Sequence, residues 1–262
     1  MRRRAWILTL LGCAAAACGR APRPATTDAA PPTDAVAVDA APPRAVLFVG
    51  NSYTYYFELP VEVAALAAPA APLITTSVTV GGAALRDHWS GEARAAIAAG
   101  GHAIVVLQGQ SQEPLLDAAG FAAHADLLAA AATSAGAEVV FYQTWARRAG
   151  DAFYADPASG GTPAAMQDGL TAGYAGAAAR NQARVAPVGE ARRLALAEAP
   201  TLELFDPDGS HPSAAGAYLA AAVLVETLTN QPPTDAPRLE LDAATRATLR
   251  DVAHRAVIAA AP

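Results

Sequence analysis

The sequence predicts an α/β fold in which a parallel sheet is covered by helices on both faces. Short, continuous apolar runs recur along the chain, and longer stretches of helical composition separate them. Strands that are buried on both faces have such continuous runs, whereas strands with one solvated face alternate apolar and polar residues. A connection between parallel strands must be long, and a helix usually supplies it. The alternation of the two kinds of segment therefore favours a parallel sheet.

The predicted strands are short apolar or β-branched runs at 45–49, 73–80, 103–107, 138–142 and 184–188. The predicted helices lie between and after them, at 60–68, 92–99, 117–132, 163–181, 213–227 and 243–259. Glycine closes several of these segments, as Gly50 does after the first strand. Functional residues of open α/β sheets gather at the carboxyl ends of strands. The positions of interest therefore follow Val49, Val80, Leu107 and Tyr142.

The first eighteen residues resemble an export signal. Arg2 to Arg4 form a positive segment, residues 5–11 are apolar, and small residues follow up to Cys18. The apolar stretch is too short to span a bilayer. Ala15-Ala16-Ala17-Cys18 resembles a bacterial lipobox, whose cysteine receives lipid, and ordinary secretory cleavage just past Ala17 is the alternative. We therefore expect an exported periplasmic or cell-envelope lipoprotein, held at the outer membrane through lipid on Cys18 alone.

The chain after the signal divides into a tether and one domain. Residues 19–43 are rich in alanine, proline, threonine and aspartate and show no apolar period. Such a segment cannot bury a core, so it is expected to be a disordered, extended tether. The pattern changes at Arg44, and residues 44–262 are predicted to form the folded domain. Removal of the signal takes the net charge from −6 to −9, because three arginines leave and residues 1–17 contain no Asp or Glu.

The composition excludes several kinds of functional site. All 18 basic residues are arginine, so no lysine serves as a Schiff base, a catalytic base or a phosphate-binding group. The two cysteines, Cys13 and Cys18, lie in the export signal, which excludes a disulfide framework or cysteine-ligated zinc in the domain. A net charge of −6 without a basic run beyond Arg2–Arg4 argues against a nucleic-acid partner.

Two polar segments carry the candidate catalytic residues. Ser52 follows the first strand, and Thr54 stands where the nucleophile elbow of the α/β-hydrolases has glycine. Near the other end, Asp208-Gly209-Ser210-His211 can place a carboxylate against imidazole Nδ1 and leave Nε2 for a serine. Either segment alone also fits a turn or a helix start. Their combination favours a nucleophile with a base and an orienting acid.

Four segments together resemble those of the SGNH (GDSL-like) hydrolases. Val46–Ser52 resembles the first block of that family, with Asn51 where many members carry aspartate, and Asp208–His211 resembles the last block. Gly81–Leu85 and Val105–Gln110 are approximate matches to the two middle blocks. The resemblance spans residues 44–227. It implies a three-layer α/β/α sandwich with a flavodoxin-like sheet, and ester hydrolysis without a metal or organic cofactor.

The resemblance also implies a role for each matched residue. Ser52 becomes the nucleophile, His211 the general base and Asp208 the group that orients the imidazole. The implied oxyanion hole consists of the backbone N–H groups of Ser52 and Gly82 and the side-chain amide of Gln110, which replaces the usual asparagine. Losing one oxyanion donor typically costs about 10²- to 10³-fold in rate. A catalytically inactive, glycan-binding lipoprotein of the same fold is therefore the alternative.

Further polar and aromatic residues are expected near the cleft. The side chains predicted to line the substrate are those of Asn51, Tyr53, His88 and Gln108. Tyrosines and Trp145 near the strand ends suit either sugar rings or ordinary packing. At the start of the helix after the fifth strand, Glu190, Arg192 and Arg193 are expected to form a solvated face.

The sequence as a whole predicts an exported serine hydrolase that cleaves a carboxylic ester through an acyl-enzyme. An O-acetyl group on an extracellular or cell-wall glycan is the first candidate substrate, and a short-chain lipid or other small ester is the second. The expected partners are this substrate and, through the N-terminal lipid, a membrane.

Overall fold

The computed structural model describes residues 42–236 and 238–261. The export signal, the lipobox with Cys18 and nearly all of the tether lie outside the described residues, so these remain predictions. None of the helices in the described ranges combines the length and the hydrophobicity that crossing a membrane requires.

Five parallel strands form one sheet, in the order β2-β1-β3-β4-β5. They are β1 (Arg44–Gly50), β2 (Leu73–Thr79), β3 (Ile104–Leu107), β4 (Glu138–Tyr142) and β5 (Arg184–Ala186). The chain moves outward from β1 to β2 and then crosses to β3 on the other side. In such sheets the ligand crevice lies where the direction reverses, here between β1 and β3. The predicted parallel sheet, including its flavodoxin-like order, is confirmed.

Ten α-helices occur in the described part of the chain, and three of them are single turns in loops that follow strands. The long helices match the predicted ones to within a few residues. In chain order the helices are α1 (Ser52–Tyr55), α2 (Leu59–Leu66), α3 (Leu85–Ser90), α4 (Glu92–Ala99), α5 (Glu113–Leu116), α6 (Ala118–Ser134), α7 (Pro163–Asn181), α8 (Val188–Glu198), α9 (Ala214–Thr229) and α10 (Ala243–Ala260). The short ones, α1, α3 and α5, follow β1, β2 and β3 and shape the crevice.

The sheet separates two hydrophobic cores, because successive side chains of a strand point to opposite faces. Val46 and Phe48 of β1 belong to the core that α2, α8, α9 and α10 cover. Leu47 and Val49 belong to the core on the other face, under α4, α6 and α7. Helix α9 is buried around almost its whole circumference, since it lies between the sheet and α10. These layers form the predicted three-layer α/β/α sandwich.

The expectation of a solvated face at the start of α8 is wrong for Arg192. Its side chain is 1% exposed, and its guanidinium carbon lies 4.2 Å from the ring centre of Trp145 and 4.5 Å from that of Phe205. Nη2 donates to the carbonyl of Leu204 over 2.6 Å. Burial lowers the pKa of Arg192 to about 10, so the group stays charged at neutral pH. Arg193, its neighbour, does face solvent and pairs with Asp168 and Glu190.

Candidate active site

Five segments that are distant in sequence meet at the carboxyl edge of the sheet. Four of them follow β1, β2, β3 and β4, and the fifth is the connection between α8 and α9. Together they border a cleft of about 350 Å³. The residues around this cleft are Asn51, Ser52, Tyr53, Tyr55, Tyr56, Gly81, Gly82, Gln110, Ser111, Arg147, Ser210 and His211.

Ser52, His211 and Asp208 form a continuous chain of hydrogen bonds. The Oγ of Ser52 lies 2.9 Å from Nε2 of His211, and Nδ1 of the same ring lies 2.5 Å from Oδ2 of Asp208. An ionised carboxylate only accepts hydrogen bonds, so Nδ1 carries the ring proton. Nε2 is then free to accept the proton of the Ser52 hydroxyl. This arrangement has the connectivity of a nucleophile, a general base and an orienting acid.

The environment of Asp208 keeps its carboxylate ionised. Partial burial works to raise the pKa, but the hydrogen bond from His211 and two backbone N–H groups outweigh it. Those backbone groups belong to Ser210 and His211, and each lies 2.9 Å from Oδ1. The result is a pKa lowered to about 2. At neutral pH the imidazole therefore faces a negatively charged carboxylate.

Aromatic rings hold the imidazole from two sides. The ring of Tyr56 stacks on His211, with centroids 4.4 Å apart and planes 13° apart, and Tyr53 meets its edge at 5.7 Å. The turn that carries Tyr56 is strained, because Phe57 (φ 55°) and Glu58 (φ 50°) are two successive non-glycine residues in the left-handed region. The backbone after Ser52 thus keeps an aromatic ring against the imidazole of His211.

A buried network of amides supports the loop that carries Ser52. Asn51 Nδ2 donates to the carbonyls of Ala83 and Gly109, and its Oδ1 accepts from Gln108 Nε2. The Oε1 of Gln108 accepts from the Asn51 backbone at 3.0 Å and from Thr54 Oγ1 at 2.7 Å. A Cβ at position 50 would lie 2.5 Å from that oxygen, so the space demands Gly50. The network joins the loops after β1, β2 and β3.

Two of the four residues predicted to line the substrate do not reach the cleft. Gln108 is completely buried, because its amide is enclosed under the Ser52 loop. His88 is 2% exposed and lies on the inner side of α3, where burial lowers its pKa against the opposing effects of the Gly50 carbonyl and Asp87. Asn51 and Tyr53 do border the cleft, although both are almost entirely buried.

The aromatic residues divide between packing and the cleft. Tyr53 stacks on the buried Trp145 with centroids 4.0 Å apart, and its hydroxyl lies 2.8 Å from Ser210 Oγ. Tyr142 is buried as well, and its hydroxyl donates to the Tyr53 carbonyl. Tyr55 and Tyr56 border the cleft and have exposed surface. Among Tyr53, Tyr55, Tyr56, Tyr142 and Trp145, the aromatic residues near the strand ends, only Tyr55 and Tyr56 combine a place at the cleft with appreciable exposed surface.

Two backbone N–H groups belong to residues that border the cleft, Ser52 and Gly82. The N–H of Ser52 begins α1, and the N–H of Gly82 lies in a turn that the bond from Ala83 N–H to the Val80 carbonyl closes at 3.1 Å. Gly82 has φ +71°, which the third position of this turn requires and glycine adopts without strain. Among the described residues, neither N–H group donates to another protein group.

The side chain of Gln110 borders the same region in a fixed orientation. Its Oε1 accepts from the backbone N–H of Gln112 at 2.7 Å, and its Nε2 donates to Ser111 Oγ at 3.1 Å. An amide nitrogen has two hydrogens, so one remains for a ligand in the cleft. The longer stem of glutamine is therefore compatible with an oxyanion donor.

The sequence analysis did not single out Glu113, whose side chain joins the segment after β2 to the loop after β3. Its carboxylate is 6% exposed and accepts from the Leu85 N–H at 3.1 Å and from the Gln110 N–H at 2.9 Å. Burial raises the pKa of Glu113, and these two hydrogen bonds work in the opposite direction. A glutamate in the first turn of a short helix is an ordinary pattern, so the sequence offered no signal for this role.

Arg147 and Ser111 were also missed. Both border the cleft, and Arg147 Nη2 lies 3.4 Å from Ser111 Oγ. Arg147 stands in the loop after β4, five residues past the end of that strand. In the described ranges, no group of three or more His, Cys, Asp or Glu side chains has an arrangement that suits a metal ion.

Comparison with solved structures agrees with this fold. A protein of Slackia heliotrinireducens, assigned to the SGNH hydrolases, is 33% identical to the chain with a TM-score of 0.62, and the match covers 71% of this chain and all of that one. A DUF4886 family protein from Bacteroides uniformis is 17% identical (TM-score 0.66), with coverage of 83% and 95%. An acetylxylan esterase from Geobacillus stearothermophilus is 14% identical (TM-score 0.54), with coverage of 71% and 94%.

The last two proteins are too distant in sequence to show more than the shared fold. No protein-family model matches the chain, and no curated protein matches it. The match to the Slackia protein shows more than a shared fold, because a third of the aligned residues are identical over the full length of that protein. On that evidence, together with the α/β/α sandwich and its order of strands, this chain belongs to the SGNH hydrolase family.

Proposed function

We propose that this protein is a serine esterase that forms an acyl-enzyme on Ser52. The observation that carries the proposal is the hydrogen-bonded chain from Ser52 Oγ through His211 to Asp208, at the edge of an open cleft. Without a base and an orienting acceptor, a serine hydroxyl is a poor nucleophile. Here both partners lie within hydrogen-bonding distance before any substrate arrives.

The first half of the reaction transfers the acyl group to the enzyme. Ser52 Oγ attacks the ester carbonyl while His211 Nε2 takes the hydroxyl proton, and the carbonyl oxygen becomes an oxyanion. The N–H groups of Ser52 and Gly82 and the amide of Gln110 receive this charge. The C–O bond then breaks, and His211 gives its proton to the departing alcohol.

The second half regenerates the serine. A water molecule attacks the acyl carbonyl, His211 Nε2 accepts its proton, and the same three donors stabilise the second oxyanion. Collapse of this intermediate releases the carboxylic acid and returns the proton to Ser52 Oγ. Asp208 remains ionised throughout, because its pKa of about 2 lies far below that of any proton acceptor in the sequence of steps.

We propose an O-acetylated glycan as the substrate class. Tyr55 and Tyr56 give the cleft exposed aromatic surface of the kind on which sugar rings pack. One structural neighbour is an acetylxylan esterase, which supports the same choice. The proposal retains export and anchoring through lipid on Cys18. We expect the wild type to partition into detergent and Cys18→Ser to lose this behaviour. A water-soluble wild type contradicts the anchor.

The experiment that tests the esterase proposal combines a chromogenic ester with a covalent probe. We expect the purified protein to hydrolyse 4-nitrophenyl acetate and to be labelled by a fluorophosphonate. Ser52→Ala abolishes both activities, because no other group replaces the nucleophile, whereas Ser90→Ala, an exposed serine outside the cleft, changes neither.

The possible results separate the esterase from its rivals. Hydrolysis that survives Ser52→Ala contradicts the nucleophile. A wild type that neither hydrolyses esters nor takes the probe, yet binds acetylated glycans, favours the inactive binding lipoprotein.

A further inference from the structure

Among the described residues that border the cleft, one side chain is permanently charged. The border consists of hydroxyl, amide, aromatic and glycine residues, with His211 and Arg147 as the exceptions. Arginine is charged at every pH at which a protein is folded, whereas histidine is not. A guanidinium in the cleft of a chain with net charge −6 runs against the overall charge of the molecule. A charged group on the border of the cleft that also contains Ser52 calls for a partner.

The protein itself pairs this guanidinium incompletely. The nearest carboxylate, Asp151, is 3.8 Å from Nη1, which exceeds the length of a direct charged hydrogen bond. Nη2 has only the contact of 3.4 Å with Ser111 Oγ. Nε is buried and has no hydrogen-bond partner among the described residues. The next residue, Arg148, shows the contrast, since it reaches Glu203 at 2.7 Å.

The guanidinium is close to the place where the ester carbonyl must lie. Ser111 Oγ links it to the Gln110 amide, with distances of 3.4 Å on one side and 3.1 Å on the other. A substrate whose carbonyl oxygen meets Gln110 therefore has Arg147 within reach of a substituent only a few bonds away. The side chain is one-fifth exposed, so a ligand in the cleft is able to touch it.

We propose that Arg147 binds a carboxylate of the substrate, and that the protein cleaves esters whose acyl or alcohol part carries such a group. Guanidinium and carboxylate are both planar and match as two parallel hydrogen bonds. A phosphate ester, with up to two charges, is a poorer match, because Arg147 is the only permanent cation among the described residues that border the cleft. The inference rests on the proposed esterase function and specifies its substrate.

The test compares charged esters with neutral partners of the same shape. The acyl arm uses 4-nitrophenyl hydrogen succinate and its methyl ester, and the alcohol arm uses 4-acetoxybenzoate and its methyl ester. We expect kcat/KM to favour the charged member of one pair by about tenfold or more in the wild type. The arm that shows the preference tells which part of the substrate carries the carboxylate. The preference declines with added salt, because ions screen charges that solvent reaches.

Three variants assign the preference to Arg147. Arg147→Gln removes it, Arg147→Lys retains part of it, and Arg94→Gln, an arginine outside the cleft, leaves it unchanged. Hydrolysis of neutral 4-nitrophenyl acetate stays within about threefold of wild type in Arg94→Gln, whereas the Arg147 variants are judged by the ratio of charged to neutral ester and not by their absolute rates. An equal ratio of charged to neutral ester in the wild type and Arg147→Gln overturns the inference, while Ser52-dependent cleavage of neutral acetate leaves the esterase proposal intact.

A binding measurement keeps the inference testable if no ester is cleaved. The probe is 4-acetamidobenzoate, an amide analogue that carries the same carboxylate, and its control is the neutral methyl ester. Calorimetric binding of the anion to the wild type, weakened at least tenfold in Arg147→Gln, supports the carboxylate site even when the esterase proposal fails. Equal affinity of the two proteins, or no binding to either, overturns it.

Discussion

The two halves of the candidate site are held by different kinds of interaction. The nucleophile half comprises Ser52, Gly82 and Gln110, which follow three adjacent strands of the sheet. The base half is the segment 203–213 with Asp208 and His211, which lies outside the sheet. The first half gets its geometry from strand register and from buried amides and a carboxylate. The second depends on side chains that reach it from other elements.

In the nucleophile half, the polar contacts are shielded from water. Gln108 and Glu113 are buried, and between them they bond to the backbone of the loops after all three strands. The register of the strands aligns the starts of these loops, because Val49 of β1 lies opposite both Val78 of β2 and Leu107 of β3. A small displacement of one loop breaks bonds that no water molecule replaces.

In the base half, the two side chains proposed to be catalytic remain accessible. The Asp208 side chain is 45% exposed and that of His211 is 25% exposed. The backbone of this segment is anchored by side chains from other elements: Trp145 Nε1 donates to the Ser210 carbonyl at 3.0 Å, and Arg192 donates to that of Leu204. The comparison indicates that buried hydrogen bonds keep the nucleophile half rigid. The geometry of the base half depends instead on a few hydrogen bonds that solvent can reach and water can replace.

The largest effect is expected from the exposed acid of the base half. Asp208→Asn removes the charge that stabilises the imidazolium and allows the wrong tautomer, so kcat falls about 10³- to 10⁴-fold. Asp206→Asn is the matched control, because that carboxylate makes no recorded contact with the imidazole among the described residues. Steady-state kinetics on 4-nitrophenyl acetate measure both. If Asp206→Asn is the damaging change, the orienting acid has been misassigned.

The same substitution is also expected to change how the stability of the fold depends on pH in acid. The folded protein holds the pKa of Asp208 at about 2, below the value of about 4 for an unfolded aspartate. The carboxylate therefore stabilises the fold above pH 4, and this contribution is lost as the pH falls toward 2. We expect the melting temperature of Asp208→Asn to depend less on pH than that of wild type in this range. Parallel curves for the two proteins contradict the lowered pKa.

A smaller effect is expected from Gln110, the side-chain donor of the nucleophile half. Gln110→Ala lowers kcat about 10²-fold and leaves the acyl-group preference unchanged, because it removes one donor to the oxyanion. Gln108→Ala provides the contrast, since it leaves buried donors and acceptors unpaired and destabilises the fold by about 1 to 3 kcal/mol. Kinetics and thermal melts on both variants separate the roles. A Gln110→Ala rate equal to wild type removes this residue from the oxyanion hole.

These two glutamines also show how far the sequence predicts the site. The strands were predictable because their apolar runs are continuous, and the motif residues were predictable because they follow those strands. Within a strand, successive side chains point to opposite faces of the sheet, so their burial is predictable. This rule no longer applies after Leu107, where β3 ends. Beyond that point nothing in the sequence distinguishes an amide under the Ser52 loop from one that borders the cleft. Both were expected to contact substrate, and one is completely buried.

Arg192 shows a different kind of failure. Its spacing places it on the face of α8 that carries the buried residues Val188, Ala191 and Ala195, so helical periodicity alone indicates an inward position. The charge of the residue led to the opposite expectation. The guanidinium is tolerated because Trp145 and Phe205, which are distant in sequence, enclose it with ring faces. The sequence does not reveal these contacts, because the residues that make them come together only in the folded protein.

The smallest effect on rate is expected from Glu113, because it acts on the oxyanion donors only through their backbone. Glu113→Gln keeps the shape but leaves one oxygen for the N–H groups of Leu85 and Gln110, with an amide NH₂ facing the other. We expect kcat to fall about tenfold with little change in KM, and the melting temperature to fall as well. Glu92→Gln, on the surface of α4, is the control and changes neither. A lower melting temperature with unchanged kcat means that the buried carboxylate stabilises the fold without positioning the donors, and the rigidity inferred for the nucleophile half then resides in the Asn51–Gln108 network alone.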